Sequence, residues 1–378
     1  MSTHSTLDIV VNDILRVVTP VQEDWEIRFA IINDLRSIVE SVESLRGATV
    51  EPFGSFVSNL FTRWGDLDIS IELSNGLHIS SAGKKQKQTF LGDVLKALRM
   101  KGGGSNLQFI SNARVPILKF KSYRQGVSCD ISINNLPGQM KSKILLWINK
   151  IDGRFRHMVL LVKEWAKAHK INNSKAGTFN SYSLSLLVIF YFQTCIPAIF
   201  PPLKDIYPGN MVDDLIGVRS DAENLIAQTC DANINRFISN RARSINRKSV
   251  AELFVEFIGK VEDPFEQPQN TARSVSAGQL KKITEAFART HDLLTSTNQN
   301  QISLLSNMAP AHVIRCITRP YGGGYFHPTQ PQVQRAIRPQ LQSQRHFQNV
   351  SQGTSSNSSS SKGHTLVHRG QQIWRPKS

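Results

Sequence analysis

Two carboxylates one residue apart, Asp66 and Asp68, sit at the head of the run Leu67-Asp68-Ile69-Ser70-Ile71. Alternation of this kind reads as a half-buried strand. Side chains two apart on a strand share a face, so the two acids project together, about 7 Å apart along the strand. Carboxylates crowded in this way repel unless a cation lies between them. A hard divalent cation such as Mg²⁺ takes carboxylate oxygens and leaves room for phosphate oxygens. Alone, the pair reads more readily as two surface acids on a solvated edge strand. A third acid changes the balance. Asp130 lies in a second short alternating run, VSCDISI at 127–133, after a basic strand from Val115 to Lys121. A carboxylate delivered from a neighbouring strand completes a donor set for two metal ions.

The elements that must position these acids follow from periodicity. Leu7 to Val18 and Glu23 to Leu45 carry apolar residues at helical spacing, and the first ends at Pro20. Val50-Glu51-Pro52-Phe53 leads into Gly54 and Ser55, which open the stretch that ends in the two acids. Residues 78–88, rich in Ser, Lys and Gln, read as a surface loop. Phe90 to Met100 reads as a helix stopped by Gly102-Gly103-Gly104. Leu107–Ile110 and Val115–Phe120 read as strands. From about Ile144 the chain turns helical, with segments at 156–169, 178–192, 215–237, 249–258 and 277–294. Within the first of these, Lys163 and Lys167 are four apart and share a side different from that of Met158, Leu161, Val162 and Trp165. That spacing is also the pattern of a wet helix face.

The combination of Gly54-Ser55, D-x-D and a distant third acid resembles the nucleotidyltransferase superfamily with a polymerase-β-like palm. The runs MVLLVKEWAKAHKIN, GTFNSYSLSLLV and, further on, EDPFE sharpen the resemblance. They look like the template-independent terminal nucleotidyltransferases that add U or A to RNA 3′ ends. In particular they resemble plant RNA uridylyltransferases that tail small RNAs lacking 3′-terminal 2′-O-methylation. The resemblance spans roughly residues 29–294 and implies an α+β fold. Its parts would be N-terminal helices at 1–45 packing on the central domain, a palm at 46–145, and a mostly helical, poly(A)-polymerase-like central domain at 146–295. A disordered basic tail would follow at 296–378.

The resemblance also implies roles. Asp66, Asp68 and Asp130 would hold two Mg²⁺ (or Mn²⁺) ions. Gly54 would let the backbone approach the phosphates and Ser55 would donate to them. Lys163 and Lys167 would bind the triphosphate, Ser181 would hydrogen-bond a phosphate, and Tyr182 would stack on the incoming base. Asp263 and Glu266 would accept hydrogen bonds from the base or its surroundings. The implied reaction is transfer of UMP from UTP to the 3′-hydroxyl of RNA, promoting decay of small RNAs, with a small-RNA effector protein as a possible partner.

Three positions depart from the pattern. Gln269 stands where uridine-selective relatives often carry a His, and Lys141 stands where relatives place a ribose-contacting Asn. Phe257-Ile258-Gly259-Lys260 runs straight into Val261-Glu262-Asp263, where relatives hold an insert of some tens of residues. These departures keep two alternatives open: an adenylyltransferase using ATP, and a catalytically impaired RNA-binding isoform.

Composition agrees with a nucleic-acid partner. The 378 residues carry a formal net charge of +16. No Asp or Glu follows Asp292, while nine Lys and Arg lie beyond Arg315 inclusive, more than half of the net charge. From Asn298 the apolar density falls and the composition becomes low-complexity. There Tyr321, Tyr325, Phe326, Phe347 and Trp374, interleaved with Arg, have the makings of a single-stranded RNA stacking surface. A plain disordered tail fits the same composition. The four cysteines show no C-x-x-C spacing, which argues against zinc and against a disulfide framework. The run from Ser181 to Phe200 reads as a core helix rather than a membrane span, and the N-terminus shows no signal-peptide pattern. The expected setting is intracellular, in the nucleus, the cytoplasm or both.

Overall fold

The alternating runs become strands of one mixed sheet, and the helical periodicities become the layers around it. The structure is a computed structural model that describes residues 3–73, 83–215, 219–240, 244–260, 275–297 and 299–318. Residues 1–321 form one compact unit. The rest of the basic tail lies outside the described residues.

In chain order, helices α1 (Thr3–Val18) and α2 (Gln22–Glu40) precede strand β1 (Thr49–Phe53). The short helix α3 (Gly54–Val57), strand β2 (Leu67–Glu72) and helix α4 (Lys84–Lys101) follow. Strands β3 (Ser105–Ile110), β4 (Ile117–Lys121) and β5 (Ser128–Ile133) complete the sheet. Helices α5 (Leu136–Ile148), α6 (Arg154–Ala168), α7 (Ser181–Thr194), α8 (Leu203–Ile206) and α9 (Met211–Asp214) begin the helical half. Helices α10 (Arg219–Ile238), α11 (Val250–Lys260), α12 (Ala277–Thr295), α13 (Gln301–Met308) and α14 (Ala311–Thr318) complete it.

The strand order is β1-β2-β5-β4-β3. β2 and β5 pair in parallel and the other neighbours are antiparallel. β1 carries Pro52, and as an edge strand it tolerates the missing N–H. α4 lies against β3, β4 and β5 through Leu91, Val94, Ala97 and Leu98, all buried. It starts at Lys84, inside the segment expected as loop, because its first turns are solvated and carry no apolar stripe. Its C-terminus is closed by Gly102 in the left-handed region at φ 64°, as the glycine run implies.

The two N-terminal helices divide their allegiance. α1 packs on α6, α11, α13 and α14, with Leu7, Val10, Val11, Ile14, Leu15 and Val18 buried. α2 packs instead on α4 and β1, so the expectation that both helices join the helical half is corrected for α2. Its apolar stripe of Ile31, Ile32, Leu35, Ile38 and Val39 is buried there, and Trp25 packs 5.0 Å from Phe56 and 4.7 Å from Phe61, ring to ring.

α6 is buried on nearly all sides and forms the axis of the helical core, with Trp165 4.6 Å from Phe287 and its Nε1 donating to the Thr290 hydroxyl at 2.9 Å. The folded unit continues past the boundary near residue 296 drawn from composition. α13 and α14 bury Leu304, Leu305, Met308 and Val313 against α1 and α6. Two short amphipathic turns with few apolar residues escape a reading based on overall apolar density. Cys129, Cys195 and Cys230 are buried and free, and Cys316 is half-buried and free. Among the described residues no helix is long and apolar enough to cross a membrane.

Candidate active site

Parallel pairing of β2 with β5 sets Leu67 beside Cys129 and Asp68 directly beside Asp130. Asp66 stands just before β2, two residues from Asp68, within electrostatic reach of both Asp68 and Asp130. The three acids thus converge from elements 62 and 64 residues apart in sequence, counted from Asp68 and Asp66 to Asp130.

Their electrostatics are those of a cluster short of positive charge. Burial, then Asp130 and Asp66, push Asp68 up to about 7. Burial, then Asp130, raise Asp66, while Lys119 and the Ser128 hydroxyl pull it the other way. Lys119, opposite Asp130 on β4, forms an ion pair with it. Lys119 belongs to the basic strand noticed in the sequence, but only the strand register reveals its partner.

The donor set fits a hard divalent cation. Carboxylate oxygens are its preferred ligands. Asp130 Oδ1 is buried and has no hydrogen-bond partner among the described residues. No three ligand-type side chains among the described residues close on a common point. A divalent cation would offset the interactions that raise Asp66 and Asp68.

Gly54 packs against the Asp68 carboxylate. It adopts φ 68°, and a Cβ there would lie 2.0 Å from Asp68 Oδ2. Its N–H donates to Ser142 Oγ on α5 at 2.7 Å, and that hydroxyl donates in turn to the Gly138 carbonyl. Glycine is required here by the backbone and by the Asp68 carboxylate packed on it. Ser55 is half-buried in α3, and its hydroxyl has no partner among the described residues.

The basic side of the site lies on α6. Lys163 is no wet-face residue: it is 6 % exposed and its Nζ donates to the Leu60 carbonyl at 2.7 Å. Burial, then Lys167, hold its ammonium down to about 8, while Glu164 and Asp68 oppose the shift. Lys167 is more open and pairs with Glu164 Oε1 at 2.6 Å. Glu164 is fully buried, and its Oε2 has no partner among the described residues. Lys167 is close enough to Asp66 to lower its pKa.

Two further expected residues lie at the start of α7. Asn180 caps the helix by accepting from the Ser183 N–H at 2.8 Å. Ser181 Oγ accepts from the Asn172 amide at 3.3 Å. Tyr182 is 39 % exposed, and Lys141 Nζ sits 5.4 Å from its ring centre. Asp263, Glu266 and Gln269 lie outside the described residues, as does the short connection beyond Lys260.

Comparison with known proteins gives a consistent picture. Residues 7–150 match the family described as poly(A) RNA polymerase, mitochondrial-like, central palm domain. Protein HESO1 of Arabidopsis thaliana is 54 % identical over 340 residues, covering 80 % of this chain and 66 % of that protein. Poly(A) RNA polymerase cid11 of Schizosaccharomyces pombe is 25 % identical over 299 residues, covering 74 % of this chain and 60 % of that protein. The chain therefore spans a little under two thirds of the length of these curated relatives. A crystal structure of the Cid1 poly(U) polymerase aligns with a TM-score of 0.60 at 22 % identity, over 80 % of this chain and 98 % of that one. The shared palm, the helical half wrapped on it and the extended identity to HESO1 lead to one assignment: the chain belongs to the terminal nucleotidyltransferases of the polymerase-β-like superfamily.

Proposed function

We propose that this chain transfers UMP from UTP to the 3′-hydroxyl of RNA without a template. The observation that carries the reading is the in-register pairing of Asp68 with Asp130, with Asp66 within electrostatic reach of both. Asp66, Asp68 and Asp130 would hold two Mg²⁺ or Mn²⁺ ions, whose chemistry is to make a hydroxyl nucleophilic and to neutralise a departing pyrophosphate. Asp130 Oδ1, buried and without a partner among the described residues, would be one of the oxygens that hold these ions. Lys167, half-buried and held by Glu164, meets the triphosphate as a point charge. Lys163 supports the Leu60 carbonyl from beneath and adds its charge to the same region. Tyr182 offers the incoming base an open ring face, and Ser181 and Ser55 offer hydroxyl donors. Asp263 and Glu266 complete base recognition.

The palm is taken as residues 46–145 together with α2, and the helical domain as 146–318 together with α1. The substrates on this reading are single-stranded 3′ ends of small RNAs bearing a free 2′,3′-diol, met in the nucleus or cytoplasm and marked for decay, with a small-RNA effector protein as partner. A second reading, the same transfer with ATP, is favoured by the similarity to poly(A) RNA polymerase cid11 and by Gln269 and Lys141 at the departing positions.

The test uses the purified chain, Mg²⁺ and a labelled single-stranded RNA, with UTP, ATP, CTP and GTP offered separately. The expected result is a ladder with UTP that vanishes in Asp66→Ala. A stronger ladder with ATP makes the enzyme an adenylyltransferase. Retained RNA binding with no ladder from any nucleotide makes it a non-catalytic isoform.

A further inference from the structure

Asp66 differs from its two companions in having no strand ladder to hold it. It stands at the end of a loop, residues 58–66, whose backbone must be fixed by something else. A buried arginine reaches that loop. Arg28, in the second turn of α2, is 1 % exposed. Its Nη2 donates to the Gly65 carbonyl at 2.7 Å and to the Arg63 carbonyl at 3.1 Å, and its Nη1 donates to the Asp24 carbonyl at 2.9 Å. The guanidinium lies over the Phe61 ring, 4.6 Å from its centre. Its Nε is buried with no acceptor among the described residues, so the two amino groups alone carry the grip. One helical turn earlier, Asp24 takes the Arg63 side chain at 3.1 Å and the Val21 N–H at 2.8 Å. Asp24 and Arg28, four apart on one face of α2, thus hold residues 63 and 65 by side chain and by backbone.

We infer that Arg28, with Asp24 as its counterpart, is a positioning residue for metal capture: it fixes the peptide that leads into Asp66 and so sets the direction of that carboxylate. The inference rests on the metal-site reading of Asp66, Asp68 and Asp130. A planar fork reaching two carbonyls at once is a job for arginine, not lysine. Its charge also suits the place. It contributes to the field around Asp66 while its hydrogen bonds go to carbonyls, so it does not occupy the carboxylate oxygens a cation needs. Removing a group that orients a metal ligand typically weakens metal affinity about 10- to 100-fold.

The experiment titrates Mn²⁺ alone, without RNA or nucleotide, into wild type, Arg28→Lys, Arg28→Met, Arg63→Met and Asp66→Asn, by calorimetry or by the paramagnetic signal of free Mn²⁺. Thermal unfolding of each variant confirms that the titrated protein is folded. Arg28→Lys and Arg28→Met are expected to weaken Mn²⁺ binding about tenfold, and Arg63→Met, which removes the lesser arm, measurably but less. Raising Mn²⁺ restores nucleotide transfer in Arg28→Lys but not in Asp66→Asn, a rescue that a purely structural role would not give. Wild-type Mn²⁺ affinity in a folded Arg28 variant overturns the inference. If both Arg28 variants fail to fold, unchanged affinity in Arg63→Met overturns it instead. A wild-type chain that binds no Mn²⁺ overturns the metal site as well as the clamp, whereas a chain that binds Mn²⁺ but transfers no nucleotide overturns only the proposed reaction.

Discussion

The charged groups on β2 and β5 and those on α6 lie within electrostatic reach of one another, yet the two regions use them in opposite ways. On the strands, backbone register does the positioning, so the carboxylates are left with missing partners: Asp130 keeps a buried bare oxygen and Asp68 is pushed up to about 7. On the helix, the cations already have structural duties. Lys163 holds the Leu60 carbonyl and Lys167 is tied to Glu164. The difference teaches that a sheet can present ligands at little structural cost, because its side chains are not needed to hold it. A helix packed against a loop presents cations that also hold the loop. Substitutions on the strands should therefore separate activity from stability, and substitutions on α6 should mix them.

The sharpest break comes at Asp68. Asp68→Asn should abolish nucleotide transfer and raise the thermal midpoint of chelator-treated protein, because it removes a buried charge crowded by two others. An unchanged or lowered midpoint, read by differential scanning calorimetry in EDTA, would contradict the idea that the carboxylates are held against their repulsion.

The helical half should answer differently. Ending the chain after Thr297 removes α13 and α14 and uncovers α1, with Leu304, Leu305, Met308 and Val313 lost from the core. At roughly 2 kcal/mol for each such side chain, the loss is on the order of 5 kcal/mol or more. Urea unfolding of the shortened chain reads it directly.

Gly54→Ala tests the seam between the two regions. The added methyl would overlap Asp68 Oδ2, and the left-handed backbone penalises any side chain. Stability should fall by about 1–3 kcal/mol and transfer by about 100-fold, since displacement of a reacting group by an ångström has that effect. Chemical denaturation and initial rates together check it.

The smallest effect belongs to Lys163 and depends on pH. Its ammonium is held down to about 8 in the folded protein, against about 10.4 unfolded. Between those values the unfolded chain binds more protons, so this group makes stability rise with pH. Lys163→Met lacks that rise. The stability of wild type relative to the variant should grow by on the order of 2 kcal/mol between about pH 7 and pH 10, measured by urea titration at both ends.

Much of this arrangement was legible in the sequence because it depends on local period. The alternation around Asp68 and Asp130 gave both strands, and the apolar stripe of 158–165 gave α6. What escaped is non-local. Nothing in Val115–Lys121 says that Lys119 faces Asp130; strand order decides it. The i, i+4 spacing of Lys163 and Lys167 is the same for a wet face and for a buried prop, and only the Leu60 carbonyl on the facing loop distinguishes them. α1 and α2 carry similar stripes yet pack on different halves, because a stripe says that a helix is covered but not by what. The packing of the Asp68 carboxylate on Gly54, which the backbone conformation there permits, has no signal in the sequence.

The order β1-β2-β5-β4-β3 has a consequence for how the molecule comes into being. Strands β1 and β2 are synthesised first, then β3 and β4, and each pair emerges as a two-stranded ribbon with an open edge, a form of marginal stability. β5 is made last and enters the middle, sealing one ribbon to the other. The same insertion brings Asp130 beside Asp68. During translation, then, Asp66, Asp68 and Asp130 do not meet until residue 130 has cleared the ribosome and the sheet has closed; on the metal-site reading proposed above, the competence to hold a cation would be born in the step that completes the fold.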